Sequence, residues 1–321
     1  MPFQHDLQEI RFQDMPEFKE GFVKRYSLLT NWDDFKKYSL SYLNRCIRIG
    51  NKMPIAVVKK GLESKGWILE KVPWMENAFW VRHEEGRLDL GSTIEHQLGY
   101  FYIQEAASMI PPLALDPKPG ELVLDMCSAP GSKTTQIAEM MHNQGLVVAN
   151  DVNGLRLAPL GVNIQRMGVY NVIQTQRDSA RLRWNVQFDK ILLDAPCSGV
   201  GTIRKSIKTI GMWNPKMINH IASLQRKLIN VAWGLLKPGG ILVYSTCSTE
   251  PEEDEEIISN FLEKNADADV LPFDLPGFKR SPAVTEFEGK VYDKRVEHTL
   301  RVWPQDNDTE GFYVAKLVKK A

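Results

Sequence analysis

The chain of 321 residues has no apolar run approaching the about eighteen residues that a membrane helix needs. Its opening, Met1-Pro2-Phe3-Gln4-His5-Asp6, lacks the basic and then apolar regions of a secretory leader. A cytoplasmic protein is expected. Cysteine is scarce: Cys46, Cys127, Cys197 and Cys247 are separated by 81, 70 and 50 positions. This spacing excludes a close C-x-x-C knuckle, so no metal site is expected, and it does not look like the disulfide framework of a small secreted protein. Free thiols are the simpler reading. No low-complexity tract is present, and with 43% hydrophobic and 25% charged residues the composition is that of a globular protein able to build a core. The length exceeds what one hydrophobic core usually serves, so a main domain with a smaller attachment is expected.

There is also no net charge, because 40 basic and 40 acidic side chains cancel. The average conceals segregation. Residues 152–237 hold 13 Lys/Arg against three acids, whereas residues 250–310 hold 17 acids against seven bases. Two readings stand side by side: solvated faces of opposite sign that attract each other, or a phosphate-binding surface in the basic block.

From about residue 120 onward, short apolar runs alternate with helical patterns, the pattern of a mostly parallel sheet wound with helices on both faces. Strands are expected at Leu122–Asp125, Leu146–Asp151, Val172–Gln174, Lys190–Asp194 and Ile241–Ser245, with Gly239-Gly240 marking the turn into the last. Helices are expected at Lys133–His142 and near 154–167, 216–236 and 252–264. Val296–Trp303 and Phe312–Val318 read as an antiparallel hairpin closing the sheet edge. Residues 1–95 read differently, as helical patterns to about 45 and then a small α/β unit carrying Trp67, Trp74, Phe79 and Trp80. The division is accordingly placed as 1–95 and 96–321.

Chemistry gathers where the strands end. The first strand runs into Asp125-Met126-Cys127-Ser128-Ala129-Pro130-Gly131-Ser132-Lys133-Thr134, a small-residue loop opening a helix. Such a loop suits a closely approaching cofactor, although an ordinary tight strand-to-helix turn would look the same. It matches neither G-x-G-x-x-G nor G-x-x-x-x-G-K-[ST], which removes the main support for dinucleotide and P-loop sites. Asp151, Asp178 and Asp194 follow the next three strands; one acid can accept from ribose hydroxyls and another from an adenine amino group, so an adenosine site is favoured over three unrelated caps. Cys197, in Asp194-Ala195-Pro196-Cys197-Ser198-Gly199, and Cys247, in Ser245-Thr246-Cys247-Ser248, occupy corresponding sheet-end positions. A thiol there becomes nucleophilic where positive charge lowers its pKa. Cys46 reads instead as a small buried hydrophobe.

These motifs, together with Leu98-Gly99-Tyr100-Phe101-Tyr102-Ile103-Gln104-Glu105 and Gly311-Phe312-Tyr313-Val314-Ala315, resemble the RNA cytosine-5 methyltransferases of the NOL1/NOP2/Sun family. The resemblance is dense over about residues 90–320. It implies a Rossmann-like class I methyltransferase domain, with a mostly parallel seven-stranded sheet and an antiparallel edge hairpin, behind a smaller helical plus α/β domain that helps hold RNA. It implies S-adenosylmethionine as cofactor, with the Cys127, Ser128, Ala129, Pro130, Gly131, Ser132 and Lys133 loop around its methionine and ribose, Asp151 on the ribose, Asp178 beside the adenine and Arg156 and Asp194 nearby. Ser132 stands where many relatives carry Gly. Cys247 would be the nucleophile, Cys197 would assist release of the covalent adduct, and Asp194 would bond the N3/N4 edge of cytosine, protonated if it donates to N3.

On this reading Arg204, Lys205 and Lys208, directly after the Cys197 loop, could hold phosphates around a cytosine turned out of its stack. Trp213 is read as packing locally rather than stacking on a base. The partner expected is RNA, transfer RNA before ribosomal RNA because the chain is compact, and a monomer is expected. DNA cytosine methylation is disfavoured, since those enzymes resemble this chain in the Pro-Cys motif but place their nucleophile there. The rival from another class is a catalytically silent RNA-binding or assembly factor, which would need neither both cysteines nor the three acids.

Overall fold

A computed structural model describes residues 16–321; the opening residues and the start of the N-terminal helical pattern lie outside the described residues. Four strands, β1 (Arg45–Ile49), β2 (Trp67–Lys71), β3 (Ala78–His83) and β4 (Phe101–Ile103), form an antiparallel sheet in the order β2-β3-β1-β4. This sheet continues past residue 95, where the sequence reading divides the chain. Cys46 is buried in β1, 2% exposed, as a small hydrophobe should be. The helices Glu20–Leu29 and Trp32–Ser39 pack elsewhere: Phe22, Tyr26 and Phe35 join Ile203, Trp213 and Trp303 in one aromatic-rich cluster. Trp213 is thus local packing, and its indole N–H donates to Glu250 at 2.7 Å.

The larger sheet contains β5 (Leu122–Asp125), β6 (Leu146–Asn150), β7 (Val172–Thr175), β8 (Phe188–Asp194) and β9 (Leu236–Thr246), all parallel to one another. Next come β10 (Ala268–Val270), the isolated ribbon of β11 (Glu286–Phe287) and β12 (Lys290–Val291), then β13 (Leu300–Val302) and β14 (Phe312–Lys319). The order is β10-β14-β9-β8-β5-β6-β7, with β14 antiparallel to β9. β13 and β10 pair with opposite ends of β14 and share the outer edge. The antiparallel hairpin forms, but its first arm is shorter than expected: Lys294–His298 is a 3-10 turn and only Leu300–Val302 is strand; β10 was not foreseen. Gly239-Gly240 does not precede the last parallel strand but interrupts it: pairing with β8 passes from Leu236 to Ile241, and Gly239 takes a φ of 77°.

Burial on both faces explains why these strands read as unbroken apolar runs. Leu124, Ile191, Leu193 and Leu242 meet one hydrophobic cluster, while Val123, Leu192 and Val243 meet the other on the opposite side. Each such side chain contributes about 1.5–3 kcal/mol when taken from water. The effect is to hold the carboxyl ends of β5, β6 and β8 in rigid register, at the edge where every candidate residue lies. No helix among the described residues is long and apolar enough to cross a membrane.

The structure corrects the reading of solvated faces at the acidic segment and the reading of Arg204 in the basic block. Glu250, Glu253, Asp254 and Glu255 are fully buried, so the acidic segment is no solvated face there. Arg25, from the first helix, meets Glu250 and Glu252, and Arg301, on β13, meets Asp254 and Glu255. Arg204 does not face phosphates either. Its guanidinium is buried, donating to the carbonyls of Ser41 at 3.1 Å, Tyr42 at 2.8 Å and Thr309 at 3.2 Å and pairing with Asp308 at 2.7 Å. Five donors in a fixed fork suit Arg to joining three backbone segments, and that use competes with phosphate binding. Lys205 and Lys208 remain exposed.

Candidate active site

The loop after β5 is shaped by its own sequence. Ala129–Pro130 is a cis peptide, and Gly131 takes a φ of 102° at the start of the helix Ser132–Met140. Only glycine adopts that conformation freely, and a Cβ there would lie 2.6 Å from Leu160 Cδ1. The loop is tied to β6: the Ser128 N–H and hydroxyl donate to the Asn150 carbonyl at 2.8 and 3.0 Å. Asp151, 3% exposed, accepts from the Ala129 N–H at 3.2 Å and the Asn153 N–H at 2.9 Å. Arg156 donates to the Ala129 carbonyl at 2.5 Å and lies 3.6 Å from Asp151, so it closes over the same loop. Asp178 is half exposed and caps a short turn by accepting from the Ala180 N–H at 3.0 Å. Cys127 is half-buried, and burial pushes its thiol up, away from a nucleophilic state.

Two residues that sequence reasoning quoted without assigning a role matter here. Asp125, at the end of β5, accepts from the Thr134 hydroxyl at 2.7 Å with one oxygen, while the other is buried without a hydrogen-bond partner. Burial pushes this carboxyl up to about 7, against the pull of the Thr134 bond. An unsatisfied acidic group beneath the loop, with acids at the ends of β6 and β7, suits a cationic adenosine compound rather than a phosphate-rich nucleotide. S-adenosylmethionine is such a compound, so the residues present fit it.

The second is Ser245, on β9. Its hydroxyl donates to Asp194 Oδ1 at 2.8 Å, while Lys133 donates to Asp194 Oδ2 at 2.7 Å. Lys133 therefore links the loop to the acid at the end of β8. Burial works against its ammonium, but Asp194, and then Cys247 and Asp125, outweigh that and hold its pKa above the usual lysine range. A fixed positive charge thus lies in the field of Cys247.

The two cysteines meet. Cys197 Sγ and Cys247 Sγ are 3.1 Å apart, both as free thiols and both half-buried. The bond to Cys247 and then burial push the Cys197 thiol well up. Around them the backbones interlock: the Gly201 N–H donates to the Cys247 carbonyl at 3.0 Å and the Gly311 N–H to the Gly201 carbonyl at 2.9 Å. A Cβ on Gly201 would lie 2.2 Å from the Gly311 oxygen, so no side chain fits between these loops.

Comparison with known proteins decides the family. A model of the 16S rRNA methyltransferase RsmB/F matches residues 112–318, and one of the N-terminal domain of 16S rRNA methyltransferase RsmF matches residues 16–106. The chain belongs to the RsmB/F methyltransferase family. It is 43% identical over 310 residues, 96% of this chain and 98% of the relative, to the tRNA (cytosine(49)-C(5))-methyltransferase of Pyrococcus abyssi. It is 44% identical over 294 residues to the ribosomal RNA small subunit methyltransferase F of Shewanella amazonensis, covering 90% of this chain but 61% of that one. Among solved structures, a methyltransferase homologue from Pyrococcus horikoshii superposes with a TM-score of 0.80 at 36% identity, covering 95% of this chain and 100% of that one. NSun6 from Pyrococcus horikoshii, solved with SFG, shares the fold at a TM-score of 0.84 and 23% identity, covering 95% and 99%. As an RsmB/F enzyme the chain is an S-adenosylmethionine-dependent RNA cytosine-5 methyltransferase with a Rossmann-like class I fold.

In this RsmB/F enzyme Glu105, which ends the first outlying motif, accepts from the Ser108 N–H at 3.0 Å and from the N–H of Glu310, directly before the second, at 3.2 Å. Burial, then the charge of Glu310, pushes the Glu105 carboxyl up to about 8 from 4.5. The folded chain therefore retains a proton that the unfolded chain releases, so the stability from this group is complete below pH 4.5 and is lost as pH rises through about 8. Glu105→Gln should flatten the fall in melting temperature across that window; a fall as steep as in the parent would show another group to be its source.

Proposed function

We propose that the enzyme methylates C5 of cytosine in a structured RNA, transfer RNA foremost, through a covalent bond between Cys247 and C6. The observation that carries this reading is the contact of two free thiols at the ends of adjacent strands, 3.1 Å apart, beside a fixed Lys133–Asp194 pair. C5 of cytosine is too weak a nucleophile alone. Addition of the Cys247 thiolate to C6 moves the ring electrons toward C5. Cys127–Lys133, with Asp151, Arg156, Asp178 and Asp194, would hold S-adenosylmethionine, which would supply an electrophilic methyl group. Once C5 carries the methyl group, loss of the C5 proton to water returns its electron pair to the ring, re-forms the C5–C6 double bond and expels the Cys247 thiolate. Cys197, which keeps its proton, assists that release. Both Asp194 oxygens accept hydrogen bonds, which suits them to the cytosine amino group; donation to N3 would require a proton on Asp194.

Transfer RNA is preferred because the chain spans nearly the whole of the Pyrococcus abyssi relative and only 61% of the Shewanella one. The region 1–95, with β4 completing its sheet, is proposed to help hold the RNA for the 96–321 methyltransferase domain, with Lys205 and Lys208 on its phosphates. The test is transfer of labelled methyl to purified tRNA and to rRNA, repeated over a salt series with Lys205→Gln/Lys208→Gln. Label in 5-methylcytosine of tRNA and a shallower salt dependence in the variant are expected. Label confined to rRNA would overturn the preference, an unchanged salt slope would remove the lysines, and RNA binding without transfer would favour the scaffold.

A further inference from the structure

The long helix Pro215–Leu235 buries Ile218, Ala222, Leu228, Ile229 and Ala232 as its periodicity demands, but the same stripe contains Gln225, whose exposure is 0%. A polar residue in that place must have partners. Gln225 Nε2 donates to the Pro196 carbonyl at 2.9 Å and to Glu253 Oε1 at 3.2 Å. Glu253, also at 0%, receives the Ser198 N–H on Oε1 at 2.8 Å. On Oε2 it receives the Ser198 hydroxyl and, at 2.5 Å, the Ser248 hydroxyl. The two serine oxygens are 3.2 Å apart.

One carboxylate therefore grips the residue directly after each cysteine, and its amide partner grips the residue directly before Cys197. No ion pair to Glu253 exists among the described residues, unlike its neighbours Glu250, Asp254 and Glu255. An uncompensated buried carboxylate costs several kcal/mol, which hydrogen bonds only partly return. A neutral amide offers one acceptor oxygen where these loops present four donors, so the carboxylate suits the clamp, and its placement against both thiol loops points to a role beyond stability.

We propose that Glu253 is a positioning residue that sets how the Cys197 and Cys247 thiols face each other and so divides attack and release between them. The inference rests on the reading of those two thiols given above. The clamp acts on the chemistry through both loops, since a displacement of about 1 Å at a reacting group can cost about a hundredfold in rate. The Glu253 charge also adds to what keeps the proton on Cys197, after the bond to Cys247, burial and the Cys247 charge.

Glu253→Gln keeps the size and one acceptor but loses the charge, and leaves a serine hydroxyl without its acceptor. In the full chain with tRNA it should lower kcat by about tenfold or more, leave KM for RNA and cofactor within about twofold, and accumulate a covalent enzyme–RNA adduct. Iodoacetamide, without RNA, should shift its labelling from Cys247 toward Cys197. Ser248→Ala, a smaller change to the same clamp, should do the same in milder form and serves if the first variant melts below the assay temperature. Cys197→Ala run in parallel separates the two failures: if it traps no adduct, the reading of the thiols has failed. If it traps adduct while folded Glu253→Gln turns over and labels as the parent does, the role given to Glu253 is overturned.

Discussion

Cys197→Ala is expected to leave the enzyme joined covalently to its RNA, and Cys247→Ala to form no joined species at all. Both variants should lose turnover, by roughly a thousandfold or more, or about 4 kcal/mol of transition-state stabilisation, for opposite reasons. On the proposed mechanism, without Cys247 no sulfur reaches C6 and the ring stays unreactive. Without Cys197 the addition and methylation proceed, but the thiol 3.1 Å from the leaving sulfur is missing when the bond must break. Denaturing electrophoresis after incubation with labelled tRNA reads the difference directly, as a slowly migrating band in one variant and none in the other. A band from Cys247→Ala instead would exchange the two roles. Equal absence of a band from both, with methylation intact in either, would remove covalent catalysis from the account.

Arg301→Ala should cost more stability than any comparable change on the surface. Its Nε donates to Glu255 at 2.7 Å, its Nη1 to the Thr249 carbonyl at 2.9 Å, and its Nη2 pairs with Asp254 at 3.2 Å, all at no more than 1% side-chain exposure. Truncation would strand two carboxylates in the interior, for which about 3–5 kcal/mol is expected, or a fall in melting temperature of about 10 °C. The pair itself carries little net stability, since burying its charges costs much of what their attraction returns. The combination Arg301→Met, Asp254→Asn, Glu255→Gln should therefore recover most of the loss. Differential scanning calorimetry decides between these views: a loss below about 1 kcal/mol for Arg301→Ala would mean that water reaches the site after truncation.

Legibility in the sequence followed a physical divide. The parallel strands were plain because they are covered on both faces, so Ile191-Leu192-Leu193 needs no polar partner and none interrupts it. The two cysteine loops were plain because each follows such a strand directly. Short segments paired at an edge, β4 and β10, carry too few residues for a period to show. Arg204 was misjudged because sequence reports a charge and not its burial. What buries it, the chain at Ser41–Tyr42 and at Asp308–Thr309, comes from positions far away in both directions. Glu253 stayed hidden in a run of acids for the same reason. The acidic stretch through Glu256 belongs to the Cys247 motif but does not single out Glu253; Gln225, a polar residue in an otherwise apolar helical stripe, is the sharper signal.

The burial of charge bears on how this formally neutral chain meets a polyanion. Among the described residues nine acidic side chains are withdrawn from solvent, Glu95, Asp125, Glu139, Asp151, Glu250, Glu253, Asp254, Glu255 and Glu310, against six basic ones, Arg25, Arg48, Lys133, Lys190, Arg204 and Arg301. Residues 16–321 hold 39 basic and 37 acidic side chains, so 33 and 28 remain toward solvent, an excess of five positive charges on the described surface that an approaching nucleic acid encounters. Neutrality on paper is a modestly cationic exterior in solution.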